Sequence, residues 1–207
     1  MLRGSINIRA FVEKEVNMSK KSSLYRKGGS LLILSAVLPL FQSMIMYLGR
    51  ISLSELLKSY MQSITIMSKI QLIITISIGV VLIAKAFFGD MIPDIVLVGL
   101  FGVLALLEGV AFLKSVPLLF RGGDIIEALL SVTMNFLMVL AYGSMAAIIF
   151  MKDSFGGFFF VPAAAVGARA LLIFLLYGLA SLRSIGFLFE IMLVGALFSI
   201  GPAVKEE

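Results

Sequence analysis

Three ionisable side chains and one amide lie inside long apolar stretches of the sequence, where polar groups are rare. They are Glu108, Arg169, Glu190 and Asn135. A charge at the centre of a bilayer costs on the order of 2.5 to 3.5 kcal/mol on insertion scales, so each needs a partner or a wet cavity. A guanidinium can hold an anionic or hydrogen-bonding group in planar, bidentate fashion. We therefore predict a ligand-binding pocket centred on Arg169.

The same residues also fit a purely structural arrangement. Arg169 would then pair with Glu190 or Glu108, or with a carboxylate of a partner protein, because buried ion pairs can serve packing specificity without any ligand. The sequence leaves both interpretations open. A further charged residue, Lys85, lies near the end of its apolar stretch. Its long stem can carry the ammonium to the membrane surface, which predicts an interfacial position.

The residue types that are missing limit the chemistry. The chain has no Cys and no His. Zinc, haem, copper and iron-sulfur sites nearly always need those ligands, so we predict no cofactor and no metal site. The same absence removes disulfides and the Ser-His and Cys-His nucleophilic pairs. We assign no catalytic residue, and an intramembrane enzyme that uses carboxylates as acid and base is the weakest hypothesis.

Acidic residues cluster where helices are predicted to begin. They are Asp90, Asp94, Asp124 and Glu127. A carboxylate at a helix N-terminus complements the helix dipole and the free N–H groups of the first turn. No carbonyl-rich loop with the spacing of a calcium site surrounds them. Helix capping is therefore preferred to metal binding for this group.

The composition indicates what must position these side chains. Of 207 residues, 60% are hydrophobic and 14% charged, and the mean hydropathy is +1.11, whereas a soluble domain is nearer half apolar and a quarter charged. Six stretches are long enough to cross a bilayer, and hydrocarbon forces their backbone to be helical. The predicted spans are 30–48, 70–88, 95–113, 128–150, 158–182 and 185–201. The predicted fold class is an all-α, polytopic membrane helix bundle.

Three further segments complete the predicted organisation. Residues 53–68 have apolar side chains at helical spacing and begin at an S-x-x-E capping box. This pattern predicts an amphipathic helix that lies in the membrane interface. The alternative is a single helix that continues into the second span. Residues 1–29 hold seven basic and two acidic residues and suit anionic lipid headgroups. Residues 202–207 form a short tail. The first apolar run is too long for a signal peptide, so we interpret it as an uncleaved helix.

The positive-inside rule predicts the orientation. With both termini in the cytoplasm of a multi-pass cell-membrane protein, the cytoplasmic side holds ten Lys and Arg and the other side six. Met18 followed by Ser and two Lys also fits a translation start, and without residues 1–17 the counts are seven and six. In this orientation Glu108 and Glu190 each lie five residues from the outer end of their spans, or roughly 8 Å deep. The pocket is therefore predicted to open outward.

Small residues recur at four-residue spacing in the last three spans, for example Gly143 with Ala147 and Ala163 with Gly167. Such pairs allow helix backbones to approach closely, and we interpret them as packing within the chain rather than as an oligomer interface.

The sequence is compatible with two functions for the protein. The first is an integral membrane protein acting as a small transporter or solute-binding membrane subunit, with Arg169, Glu108, Glu190 and Asn135 lining its pocket. Because no G-x-x-x-x-G-K-[ST] motif is present, an ion gradient or a partner would supply the energy. The alternative is a structural or accessory subunit of a larger membrane complex, without a ligand of its own. The predicted partners are the lipid bilayer and partner membrane subunits or further copies of the chain, and no nucleic acid.

Overall fold

The computed structural model describes residues 8–47, 62, 65–120, 124–151, 158–178 and 185–205. These residues form six α-helices and no strand, which confirms the predicted all-α class. The helices are α1 (Ile8–Tyr47), α2 (Ile66–Phe88), α3 (Asp94–Ser115), α4 (Ile125–Phe150), α5 (Val161–Tyr177) and α6 (Ile185–Lys205). Short 3-10 turns cover Gly89–Met91, Val116–Phe120 and Phe158–Phe160.

Five of these helices are long and apolar enough to cross a membrane, when the 3-10 turns that extend α3 and α5 are included. They are α2 to α6, and they contain most of the second to sixth predicted spans. The first predicted span, 30–48, is helical as far as Tyr47, within α1. The length and composition of the five helices are those of a membrane protein.

The ends of the helices differ from the predicted segments in three places. Of the predicted amphipathic helix 53–68, residues 53–61, 63 and 64 lie outside the described part of the chain. Thr65 has an extended backbone, and its hydroxyl accepts a hydrogen bond from the Ser68 N–H at 3.2 Å, so α2 begins there. At the other end of the chain, α6 continues through Pro202 to Lys205. Gly178 terminates α5 with a φ of 53°, and residues 179–182 of the predicted fifth span lie outside the described part of the chain.

The six helices form a ring in which each helix packs against its neighbours in the sequence and α6 packs against α1. Since consecutive helices alternate in direction, one end of the ring holds the N-termini of α2, α4 and α6. The buried core inside the ring draws on every helix. Its large, fully buried side chains include Leu32, Ile78, Leu82, Leu97, Phe101, Met145, Leu193, Leu197 and Ile200.

Two consecutive glycines allow α1 to pack closely against both of its neighbours. A Cβ on Gly29 would lie 2.6 Å from the backbone oxygen of Gly79 in α2. A Cβ on Gly28 would lie 2.7 Å from Cγ1 of Ile200 in α6. A side chain at Gly29 would meet backbone that cannot yield, whereas one at Gly28 would first meet the Ile200 side chain, so the close approach of α1 to α2 depends most strongly on glycine.

Two of the carboxylates at helix entrances stabilise helix starts in different ways. Asp124 accepts hydrogen bonds from the N–H groups of Ile126 and Glu127 at 2.9 and 3.4 Å, as the capping interpretation predicts. Asp94, in the first turn of α3, instead forms an ion pair with Lys85 of α2 at 2.5 Å. Lys85 lies in the last turn of α2, near the end of its span as predicted, but its side chain does not extend to solvent and is only 2% exposed. The Asp94 carboxylate takes the place of the water that would otherwise stabilise the Lys85 ammonium.

Candidate binding cavity

A cavity of about 230 Å³ lies inside the ring and touches all six helices. Its apolar wall is made of Ala36, Leu72, Leu104, Met138 and Phe189. Its polar side chains are Ser68, Gln71, Thr75, Glu108, Tyr142 and Arg169. An apolar pocket with a few convergent polar groups is the usual form of a small-molecule site. The volume is below the roughly 300 Å³ at which pockets for drug-sized ligands begin, so only a small solute fits.

Arg169 reaches the cavity from the middle of α5 and forms an ion pair with Glu190 of α6. The distance from Arg169 Nη1 to Glu190 Oε1 is 3.3 Å. The Glu190 side chain is 3% exposed and the Arg169 side chain 25% exposed. Neither Arg169 Nε nor Glu190 Oε2 has a hydrogen-bond partner within the described part of the chain, although both atoms are buried. The pair therefore leaves hydrogen-bonding capacity unused on both side chains.

Glu108 enters the cavity from α3, where it is held by a neutral partner. The amide Nε2 of Gln71 in α2 donates to Glu108 Oε1 at 3.0 Å. One turn further along α2, the Thr75 hydroxyl donates to the backbone oxygen of Gln71 at 2.8 Å. The hydrogen bond between Gln71 and Glu108 therefore joins α2 to α3 beside the Arg169 guanidinium.

Asn135 lies apart from the other three predicted site residues. Its amide donates to the Ser115 hydroxyl at 3.4 Å, and that hydroxyl donates to the Phe112 carbonyl at 2.7 Å. These contacts connect α4 to the end of α3. Neither Asn135 nor Glu190 is among the residues that line the cavity, and the part of both in ligand binding stays a prediction.

Four polar residues of the cavity were not among the predicted site residues: Ser68, Gln71, Thr75 and Tyr142. Gln71 is the second residue of the predicted span 70–88, where a polar side chain is ordinary. Tyr142 lies within the predicted span 128–150, and the sequence does not show which helices its side chain contacts. It is 4% exposed, and its ring centroid lies 6.4 Å from that of Phe101.

The cavity lies toward the end of the ring where α2 and α6 begin. Gln71 is five residues after the start of α2, and Glu190 is five residues after the start of α6. At the rise of a helix, five residues correspond to roughly 8 Å. The depth of the carboxylates below one end of the bundle therefore resembles that derived from the sequence.

The chemistry available in the cavity is recognition of polar groups. A guanidinium donates hydrogen bonds to carboxylate, phosphate or carbonyl oxygens, and a carboxylate accepts them from ammonium, amide or hydroxyl groups. Both act strongly here because apolar walls keep the local dielectric constant low. Among the described residues, no group of three or more His, Cys, Asp or Glu is placed to hold a metal ion.

The fold and the cavity together define a class, a helical membrane bundle with a polar internal cavity. No protein-family model, curated protein or solved structure matches the chain. The function is therefore argued from the chemistry of the cavity.

Proposed function

We propose that the protein is a small transporter or solute-binding membrane subunit whose solute occupies the cavity around Arg169. The observation that carries the proposal is the position of Arg169, whose side chain is 25% exposed, pairs incompletely with Glu190 and lines the cavity together with Glu108 and Tyr142. A buried ion pair is stable when hydrogen bonds satisfy its remaining polar atoms. Here Arg169 Nε and Glu190 Oε2 have no such bonds among the described residues. Glu190 therefore leaves the guanidinium incompletely paired, and an acceptor group on a solute would bind the part of Arg169 that lines the cavity.

The lining residues indicate the kind of solute. An anionic group or carbonyl oxygen would accept hydrogen bonds from Arg169, and a donor group on the same molecule would reach Glu108. The cavity volume of about 230 Å³ restricts the solute to a small polar metabolite. In the proposed orientation, with both termini in the cytoplasm of a cell-membrane protein, the cavity opens to the outside. Transport would draw its energy from an ion gradient or from an energising partner.

An outward-opening cavity predicts water access at one face of α2. The chain has no cysteine, so a single Cys substitution introduces the only thiol. Thr75 lines the cavity, whereas Ile73, two residues away, is 59% exposed on the outer surface of the bundle. A membrane-impermeant thiol reagent added outside intact cells should modify Thr75→Cys at least about tenfold faster than Ile73→Cys, because a thiol in hydrocarbon does not ionise.

Labelling from the two sides of the membrane distinguishes the possible outcomes. If Thr75→Cys reacts only in inverted vesicles, the cavity opens inward and the proposed orientation is wrong. If Thr75→Cys reacts no faster than Ile73→Cys from either side, the cavity is dry and the solute site is contradicted.

One observation favours the alternative, an accessory subunit of a larger membrane complex. The outer face of α3 carries Gly99, Gly102 and Gly109, and a Cβ at any of the three would meet no atom within 4 Å. These glycines line a shallow groove together with Leu106 and Leu113, which are 71% and 67% exposed. A helix from another chain can approach such a surface closely. In that case the Arg169 and Glu190 pair would serve packing alone.

A further inference from the structure

The charged groups around the Arg169 cavity do not balance. Arg169 and Glu108 both line the cavity. Glu190 does not line it, but its Oε1 atom lies 3.3 Å from Arg169 Nη1, so its carboxylate already offsets the charge of the guanidinium. Glu108 instead accepts a hydrogen bond from the neutral amide of Gln71 at 3.0 Å. When both carboxylates are ionised, this cluster of described residues has one negative charge in excess.

No other described residue of the cavity wall supplies the missing positive charge. Tyr142 contributes a phenol rather than a second cation. Lys69 of α2 and Lys114 of α3 are not among the residues that line the cavity. A charge that is buried among apolar side chains without a partner of opposite sign is costly. The cavity therefore favours an occupant that brings a positive charge.

The groups near Glu108 suit an ammonium. The Thr75 hydroxyl donates its proton to the Gln71 carbonyl at 2.8 Å, so its oxygen can only accept a further hydrogen bond. The rings of Tyr142 and Phe189 lie in the same wall, and the face of an aromatic ring attracts cations. An ammonium group donates hydrogen bonds and accepts none, which matches these partners.

We propose that the solute of this cavity is a small organic amine, whose ammonium pairs with Glu108 and whose neutral oxygen accepts hydrogen bonds from Arg169. This inference rests on the proposed function and narrows the class of solute. With an amine bound, the charges of Glu108, Arg169 and Glu190 and of the ammonium sum to zero. An anionic solute would add to the excess negative charge, although Arg169 considered alone would attract it.

Three probes with the same number of non-hydrogen atoms but different charges test the proposal on the full-length protein in phosphatidylcholine nanodiscs. Glycinamide carries an ammonium and a carbonyl group, propionamide has a methyl group in place of the ammonium, and propionate is an anion. Saturation-transfer NMR measures the dissociation constant of each probe. Glycinamide should bind at least about tenfold more tightly than propionamide, because its ammonium gains a charge-assisted hydrogen bond to Glu108. Propionate should bind most weakly.

The matched variants are Glu108→Gln and Glu127→Gln. Glu108→Gln keeps the shape of the side chain and a polar partner for Gln71, and it should remove most of the preference for glycinamide over propionamide. Glu127 is exposed in the first turn of α4 and does not line the cavity. Glu127→Gln should therefore keep the preference. Thermal unfolding verifies that both variants are folded.

Two results with the unmodified protein would overturn the inference without reference to any variant. The first is binding of glycinamide no tighter than that of propionamide, as expected if a proton rather than the solute neutralises Glu108. The second is tightest binding of propionate. A preference for glycinamide that survives in Glu108→Gln would also overturn it. The proposed function fails separately, when no small molecule copurifies with the protein.

Discussion

Replacing Arg169 by Gln is expected to abolish solute binding and to lower the free energy of unfolding by about 3 to 5 kcal/mol. The loss of stability follows from Glu190, which is 3% exposed and would keep a buried carboxylate without its cation. The loss of binding follows from removal of the guanidinium that lines the cavity. Thermal unfolding in detergent measures the first effect. Native mass spectrometry of the small molecule that copurifies with the protein measures the second.

A double variant separates recognition from structure. In Arg169→Gln with Glu190→Gln both charges are gone, and two amides can hydrogen bond to each other. Replacing both members of a buried pair is often nearly neutral, so most of the lost stability should return. Solute retention should stay reduced roughly a hundredfold, because the charge-assisted hydrogen bonds to the ligand are still missing. A double variant that retains the solute as the unmodified protein does would show that Arg169 is structural only.

Replacing Gly29 by Ala is expected to lower the free energy of unfolding by about 3 kcal/mol, the upper part of the range for overpacking. The new Cβ would lie 2.6 Å from the Gly79 backbone oxygen. That oxygen belongs to a helix and cannot move as the end of a side chain can. The helices α1 and α2 must therefore separate, which opens the ring beside the cavity. Thermal unfolding of the purified protein measures the change.

The matched control for this prediction is Gly102→Ala in α3. A Cβ at Gly102 meets no atom within 4 Å, so the change should be small and should favour the helix slightly. Gly79→Ala should resemble Gly29→Ala, since its Cβ would lie 2.8 Å from the Gly29 oxygen. If Gly29→Ala proves as stable as Gly102→Ala, the close approach of α1 and α2 is wrong.

The helical class and the position of most spans could be predicted because they depend on local composition. An apolar run of about 20 residues must be helical in hydrocarbon, whatever surrounds it. The pair of Arg169 with Glu190 was one of the alternatives derived from the sequence, because two costly charges on adjacent spans favour each other. Thr65 and Gly178, where α2 begins and α5 ends, do not coincide with the predicted boundaries. Their effect depends on backbone conformation, which hydropathy does not report.

Which side of each helix faces the cavity could not be predicted. Soluble helices reveal their buried side through an apolar stripe, but these helices are apolar all round. Asn135 was therefore placed in the pocket, whereas its amide contacts Ser115, and Gln71 was overlooked.

The small-residue pairs show the same limit. A Cβ on Gly167 would meet no atom within 4 Å, although Gly167 stands at four-residue spacing from Ala163. Gly28 and Gly29 lie just before the first predicted span and belong to none of these pairs, yet they make two of the closest helix contacts in the described residues. Spacing alone identifies residues that permit close packing, and the partner helix decides which of them is used.

If the cavity around Arg169 holds a solute, that solute should stay bound when the protein leaves the membrane. The most direct test is gentle extraction of the protein from its native membrane into nanodiscs, followed by native mass spectrometry of everything that remains attached. The account predicts a chain that retains a small polar molecule in stoichiometric amount, lost in the Arg169→Gln and Glu190→Gln double variant. A stoichiometric partner protein with no small molecule on either component would contradict it and would support the accessory-subunit alternative.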